Sequence, residues 1–86
     1  MKVMIPSALR SYTNDKSEVE ADGQSLAEVL NDLDAHYSGI RFRIIDEQDR
    51  IRQHMRVFIN QTQARDIKAS VGSNDKVLIV CALSGG

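Results

Sequence analysis

Two glycines, Gly85 and Gly86, follow the apolar run at residues 77–83 after a single serine, and they suggest chemistry at a carboxylate. Glycine makes up about 7% of ordinary sequence, so a pair at one fixed place arises by chance about 0.5% of the time. Because glycine has no Cβ, such a segment lies extended in a narrow channel and reaches another protein's active site. We therefore expect the Gly86 carboxylate to be the reactive group. The tail that carries it comprises Leu83, Ser84 and Gly85.

Few other side chains suggest chemistry. His36, His54 and Cys81 form no spacing typical of a metal site. His36 falls near the end of a predicted helix, where the dipole favours a local structural role, and Cys81 is expected to be a small buried hydrophobe. The sequence contains neither a phosphate-binding loop nor a nucleophile elbow. We predict no metal site, no bound cofactor and no catalytic residue within this chain.

Length and composition indicate one small soluble domain spanning residues 1–86. The chain has 42% hydrophobic and 27% charged residues, and no apolar run approaches the roughly 18 residues that span a membrane. The single cysteine cannot form an internal disulfide, which fits a reducing compartment. The expected location is therefore cytoplasmic, with no membrane partner.

Charge is unevenly distributed. The net charge is -1; residues 1–40 carry three basic and seven acidic side chains, whereas residues 41–86 carry eight basic and five acidic ones. This asymmetry indicates charged docking surfaces, but interleaved acids and few aromatics argue against nucleic acid. A loose basic cluster is either a solvated surface neutralised by Asp46, Glu47 and Asp49, or a docking patch. Its members are Arg41, Arg43, Arg50, Arg52 and Arg56.

The elements that must position the tail begin with a hairpin and a helix. The apolar residues 2–5, stopped by Pro6, predict a first strand, and the alternation at residues 18–21 predicts a second. Residues 11–16 have the composition of a turn, and the two strands are expected to form a hairpin that closes at Asp22-Gly23. Ser25 and Glu28 form a capping box for an amphipathic helix, and Gly39 provides a left-handed residue after it. The apolar stripe of that helix is Leu26, Val29, Leu30, Leu33 and Tyr37. A helix with a single apolar stripe needs a sheet against which to bury that stripe.

The second half predicts further strands. Residues 40–45 alternate arginine with apolar side chains, which fits either a short strand or an irregular half-turn packed under Phe42. Residues 55–59 form a convincing strand that ends at 60–62, and residues 71–75 form a turn. The nearly continuous apolar run at residues 76–83 predicts a central strand buried on both faces. Together these elements indicate an α+β fold, a small mixed sheet packed on one main helix.

Alternation within the strand at 55–59 singles out Phe58 as a partner anchor. Val57 and Ile59 share one face, and Phe58 points to the other. If the helix covers the first face, Phe58 is exposed and available to a partner; the inverted assignment would place it in the core. Val80 and Arg56 are the other docking candidates.

The order of elements, the helix and the glycine tail together resemble the ubiquitin-like β-grasp sulfur carriers of the MoaD/ThiS group, and most of all their CysO type. The resemblance runs the length of the chain. The segments that carry it are residues 5–10 (IPSALR), 33–40 (LDAHYSGI) and 56–60 (RVFIN), with Gly85-Gly86.

This resemblance implies a carrier and not an enzyme. A separate ubiquitin-activating-like enzyme would adenylate Gly86 with ATP, the product would become a thiocarboxylate, and a sulfur-accepting synthase would receive the sulfur. A zinc-dependent protease of the JAMM type would release the product or trim residues after the glycines. Cysteine- or homocysteine-type biosynthesis is the implied destination, and siderophore or other secondary-metabolite synthesis stays open. Because residues 58–62 also resemble the hairpin of small molybdopterin synthase subunits, molybdenum cofactor synthesis stays open too. So does a ubiquitin-like binding module with an inert tail.

Overall fold

A computed structural model describes residues 1–82 of the chain. Its elements in chain order are β1 (Lys2–Met4), a 3₁₀ helix (Ser7–Tyr12), β2 (Glu18–Glu20), α1 (Leu26–His36), α2 (Ile40–Ile44), β3 (Met55–Ile59), β4 (Thr62–Gln63) and β5 (Lys76–Cys81). The strands form one sheet in the order β2-β1-β5-β3-β4. Strands β1 and β5 run parallel, whereas the other neighbours are antiparallel. The predicted α+β architecture, a mixed sheet on one main helix, is confirmed.

Helix α1 begins where the sequence predicts it to begin. The Ser25 hydroxyl accepts a hydrogen bond from the Glu28 backbone N–H at 3.3 Å, and the Glu28 carboxylate accepts one from the Gln24 N–H at 2.9 Å. One free backbone donor of the first turn and one donor just before the N-cap are thereby satisfied. The buried side chains of α1 are Leu26, Val29, Leu30 and Leu33.

One face of the sheet forms the core with α1. The buried residues of this face alternate along the strands, as a strand with one covered face requires. They include Val3, Val57, Val77 and Ile79, each at most 1% exposed. Gly23 allows the chain to pass close to α1, because its φ of 158° suits glycine and a Cβ there would lie 2.7 Å from the Val29 nitrogen.

The structure corrects three sequence-based predictions. Residues 40–44 form the short helix α2, and neither a strand nor an irregular half-turn. Ile40 and Ile44, four residues apart, are buried on one side, whereas Phe42 is 52% exposed. A helical turn puts positions four apart on one face, so it satisfies the same apolar pattern.

The hairpin of β1 and β2 is the second correction. Its connection is the segment 5–17, which contains the 3₁₀ helix, so the hairpin does not close at Asp22-Gly23. Those two residues lead from β2 into α1. Strand β4 is not predicted by the sequence pattern, although residues 58–62 resemble a family hairpin: Asn60 and Gln61, with φ of 59° and 129°, turn the chain from β3 into this two-residue strand.

Strand β5 is the third correction. It is central, as predicted, but it is not buried on both faces. Val77 and Ile79 are buried, whereas Leu78 between them is 40% exposed. Only one layer of helix covers the sheet within the described residues, so the apolar run of β5 faces the core on one side and solvent on the other. No helix in this part of the chain is both long and apolar enough to cross a membrane.

Candidate functional site

The surface of the sheet that faces away from α1, here called the open face, brings the predicted docking residues together. Phe58 on β3 pairs directly with Leu78 on β5, and Leu78 pairs in turn with Met4 on β1. Directly opposed residues on neighbouring strands lie on the same face with Cβ atoms about 5 Å apart. These three side chains therefore form an apolar row across the middle of the sheet. Val80 stands two residues further along β5 on the same face.

The open face is concave on both sides of Leu78. One depression of about 520 Å³ is lined by Phe58 and Leu78 together with Asn60, Gln61 and Lys76. A second, of about 350 Å³, extends from Leu78 and Val80 past Met4 toward the 3₁₀ helix. Phe58, Met4 and Val80 are half-buried, so they present apolar surface to solvent without leaving the sheet. Concave apolar surface with a polar rim is typical of sites that accept a partner side chain.

Arg56 occupies a strand position on this face, where its backbone pairs with Val80, but its side chain does not lie over the apolar row. Its Nη1 donates hydrogen bonds to the backbone oxygens of Gln53 at 2.6 Å and Met55 at 2.9 Å. The guanidinium is therefore turned toward the edge of the sheet next to β4. Arg56 lies at the border of the open face, while Phe58 and Val80 lie within it.

The described chain ends beside the start of β3. Strand β5 ends at Cys81, and the Ala82 backbone N–H donates to the His54 carbonyl oxygen at 2.6 Å. This bond fixes where the segment after Ala82 starts. The predicted tail residues, Leu83, Ser84, Gly85 and Gly86, lie outside the described residues.

The remaining chemical side chains have local surroundings. His36 lies on α1 with its Nδ1 2.9 Å from the Asp32 carbonyl oxygen. Cys81 is half-buried and packs against the core, as expected for a small hydrophobe. Among residues 1–82, no three His, Cys, Asp or Glu side chains are arranged to hold a metal ion.

Among the carboxylates of residues 1–82, Asp46 and Asp75 have a shifted pKa, and both accept hydrogen bonds within turns. The backbone N–H of Arg50 is the main cause that lowers the pKa of Asp46, with the Gln48 N–H and nearby arginines adding to it. The Gly72 N–H and the Asn60 side-chain amide lower the pKa of Asp75. Hydrogen bonds to the charged form of a carboxylate always act in this direction. Neither group borders the apolar row.

Sequence reasoning missed Leu78 and Met4 as members of the open face. A signal for Leu78 was present, because Lys76, Leu78 and Val80 have the same parity along one strand. A lysine on a strand points to solvent, so the two apolar residues that share its parity must share its face. Met4 has no comparable signal, since only the parallel pairing with β5 places it in the row.

One sheet that wraps a single main helix and leaves its other face open defines a ubiquitin-like β-grasp domain. The model of the ThiS family matches residues 3–86, and the chain belongs to that family.

Individual relatives agree with this assignment. The sulfur carrier protein CysO of Mycobacterium tuberculosis is 32% identical over 89 residues, which cover 98% of this chain and 96% of that protein. A chain in the crystal structure of the Amycolatopsis orientalis BexX/CysO complex matches with a TM-score of 0.93 at 30% identity, covering 99% of this chain and 98% of that chain. The small archaeal modifier protein 1 of Methanosarcina acetivorans has a TM-score of 0.81 at 21% identity, covering 99% of this chain and 94% of that one, and supports the fold alone.

Proposed function

We propose that this protein is a sulfur carrier whose Gly86 carboxylate is adenylated by a partner enzyme and converted to a thiocarboxylate. The observation that carries the proposal is the 32% identity to the sulfur carrier protein CysO over nearly the full length of both chains. The Gly85-Gly86 sequence supplies the group on which such chemistry acts.

The chemistry explains why a carboxylate must be activated first. A carboxylate oxygen of Gly86 attacks the α-phosphorus of ATP in the partner's active site, and pyrophosphate leaves. A sulfur nucleophile then attacks the acyl-adenylate carbon and expels AMP, which leaves sulfur in place of one carboxylate oxygen. The resulting thiocarboxylate is a soft anionic nucleophile. ATP is thus a substrate of the partner, and this chain contributes recognition and the tail.

The open face suits the recognition part of that role. An adenylating enzyme must hold the domain while the tail enters its active site, and Phe58, Leu78 and Met4 offer it an apolar row. The described chain ends beside two of the three strands that carry this row, β5 and β3, because the Ala82 N–H is bonded to the His54 carbonyl oxygen just before β3. The structurally similar CysO was crystallised in complex with BexX, which supports a carrier that works by binding other proteins.

We further propose that a sulfur-accepting synthase takes the sulfur into a cysteine- or homocysteine-type amino acid or a small metabolite in the cytoplasm. A JAMM-type zinc protease would release the product. Delivery to molybdopterin synthase or to siderophore synthesis would use the same thiocarboxylate. Supplying the loaded protein with each class of acceptor and measuring loss of the thiocarboxylate distinguishes these destinations.

The test of the carrier function is sulfur loading. The protein is incubated with ATP, sulfide and its cognate adenylating enzyme, and its intact mass is recorded. We expect the mass to rise by the exchange of one oxygen for sulfur, located at Gly86 by fragmentation. Absence of the exchange would remove the main support for the proposal.

The matched control is the variant that lacks Gly86. It should not load sulfur, yet it should retain its circular dichroism spectrum and urea midpoint, because the core lies within residues 3–79. Loss of folding would contradict a tail that projects from the domain.

A second candidate is a ubiquitin-like binding module with an inert tail, and the exposed Leu78 favours it. This candidate predicts partner binding through the open face without any mass change.

A further inference from the structure

The basic cluster of the second half contains two arginines in ion pairs, two held by neutral groups, and the exposed Arg43. Arg41 and Arg50 are neutralised as the sequence suggests: Arg41 Nη2 lies 3.1 Å from Asp49 Oδ1, and Arg50 Nε lies 3.9 Å from Asp46 Oδ2. These pairs occupy the nearby aspartates. The remaining arginines therefore need a separate account.

Arg52 and Arg56 are held by neutral groups instead. Arg52 Nε donates to the Phe42 carbonyl oxygen at 2.7 Å, and its guanidinium lies 4.6 Å from the centre of the Phe42 ring. Arg56 Nη1 donates to the backbone oxygens of Gln53 and Met55. Among residues 1–82, neither guanidinium has a carboxylate within 4.0 Å. Both side chains are thus held in position without a contacting carboxylate, and the nearest charge interaction is that of Arg52 with Asp46, whose pKa it helps to lower.

Arg65 joins them across the edge of the sheet. The Ala64 N–H donates to the Val57 carbonyl oxygen at 2.8 Å, which extends the pairing of β3 and β4 by one residue and brings Arg65 opposite Arg56. Between the approach to β3 and the chain after β4 lies a groove of about 640 Å³. Its lining includes Arg52, Arg56 and Arg65 with the polar side chains of Gln53, Thr62 and Gln63. We call it the arginine groove.

The arginine groove lies next to the place where the tail starts. Gln53 lines the groove, and its neighbour His54 accepts the hydrogen bond from Ala82. A protein that takes the segment after Ala82 into an active site therefore binds close to the groove, with β3 between them. Such a protein can contact the groove while it holds the tail.

We propose that the arginine groove binds a carboxylate-rich segment of the protein that receives the tail. Guanidinium groups bind carboxylates through paired, charge-assisted hydrogen bonds, and the side chains of Arg52 and Arg56, already held in place, lose little entropy on binding. The net charge of -1 and the excess of acids in residues 1–40 oppose long nucleic acids, whereas a short acidic segment meets only the local positive field. The identity of the partner rests on the proposed carrier function; the preference for carboxylates does not.

The direct test is an NMR titration of the ¹⁵N-labelled protein with a hexaglutamate peptide at low ionic strength. We expect the largest shifts at the side-chain Nε–H signals of the groove arginines and at the Gln53 amide, and weaker binding as salt screens the charges. Arg65→Gln should raise the Kd about two- to fivefold, the usual worth of an exposed ion pair.

The matched control is Lys16→Gln, which removes the same charge beside β2 at the far edge of the sheet. It should change the Kd much less than Arg65→Gln does. Equal effects of the two variants, or largest shifts away from the groove, would overturn the proposal. A thymidine hexanucleotide that binds the groove more tightly than the peptide would also overturn it, in favour of nucleic acid.

Two further measurements separate this proposal from the carrier function. The variant without Gly86 should bind the peptide with unchanged Kd, so peptide binding stands even if sulfur loading fails. In the loading reaction, Arg65→Gln should raise the KM for this protein and leave kcat unchanged, whereas loss of Gly86 abolishes turnover. Normal loading with an unaltered KM would refute the assignment of the groove to the tail-receiving partner.

Discussion

Val57 and Phe58 are adjacent in sequence and face opposite sides of the sheet, which makes them a sharp test of the structure. Val57 is 0% exposed beneath α1. Val57→Ala removes two buried methyl groups, worth about 1.6 kcal/mol in transfer free energy at about 0.8 kcal/mol each. A cavity adds to this cost because the surrounding core relaxes only in part, so we expect a total loss of about 2 to 3 kcal/mol in the free energy of unfolding.

Phe58→Ala should be far milder for stability, although it removes a larger side chain. Phe58 is half-buried on the open face, and its pairing there is with Leu78 across the strands. Such a cross-strand pair contributes about 0.2 to 1 kcal/mol, and we expect a loss of about 1 kcal/mol in all. Partner affinity should fall more with Phe58→Ala than with Val57→Ala. An aromatic anchor is worth at least about 2 kcal/mol, so the Kd for the adenylating enzyme should rise about 30-fold with Phe58→Ala.

Urea unfolding and a binding titration measure both effects on the same preparations. With a slope of about 1.5 kcal/mol per molar urea, Val57→Ala should lower the midpoint by about 1.3 to 2 M, and Phe58→Ala by less than about 0.7 M. Val57→Ala should leave the Kd nearly unchanged in the absence of urea. A midpoint shift for Phe58→Ala as large as that for Val57→Ala would place Phe58 in the core and refute the assignment of the faces.

Two further predictions concern turns. Gly23→Ala should cost about 2 to 3 kcal/mol in urea unfolding, because a Cβ would lie 2.7 Å from the Val29 nitrogen at a φ of 158°. Gly72→Ala should cost less than about 1 kcal/mol, since a Cβ there would approach no atom closer than the Asp75 carboxylate at 3.6 Å; equal costs would contradict the close approach at Gly23. The lowered pKa of Asp75 means that its contribution to stability is present above its ordinary value of 3.8 and is lost as the pH falls through the folded-state value. Asp75→Asn should therefore flatten the urea midpoint against pH below 3.8, and an unchanged profile would assign that pH dependence to other carboxylates.

The sequence predicted those elements whose patterns are local and long enough. The N-cap residue Ser25 and an apolar stripe over three turns predict α1. Strict alternation of side chains between the two faces predicts β3. Residues 40–44 are too short for such a decision, because Ile40 and Ile44 fit a spacing of two through Phe42 as well as a helical spacing of four. The exposure of Phe42 distinguishes the two, and it depends on packing that no local pattern encodes.

The candidate site was predictable in part for the same reason. The alternation that puts Phe58 opposite Val57 is local, and the structure confirms that Phe58 faces away from α1. The row with Met4 depends on the parallel pairing of the first and last strands, which joins residues 74 positions apart. The arginine groove could not be predicted, because the sequence does not show which arginines form ion pairs. Only the folded chain pairs Arg50 with Asp46 and Arg41 with Asp49. The role of Gly86 stays a prediction from sequence and family.

The wrong prediction for β5 has a physical cause that bears on function. An apolar run on a central strand predicts two covered faces, because a sheet face that carries large apolar side chains must be buried against another layer. The layer that covers the second face can come from the same chain or from another molecule. Within the described residues one helical layer covers one face, while Leu78 is 40% exposed in a row with Phe58. Under the proposed carrier function, the pattern of β5 is that of a strand whose second layer is supplied by a partner protein, and this is what Phe58→Ala tests.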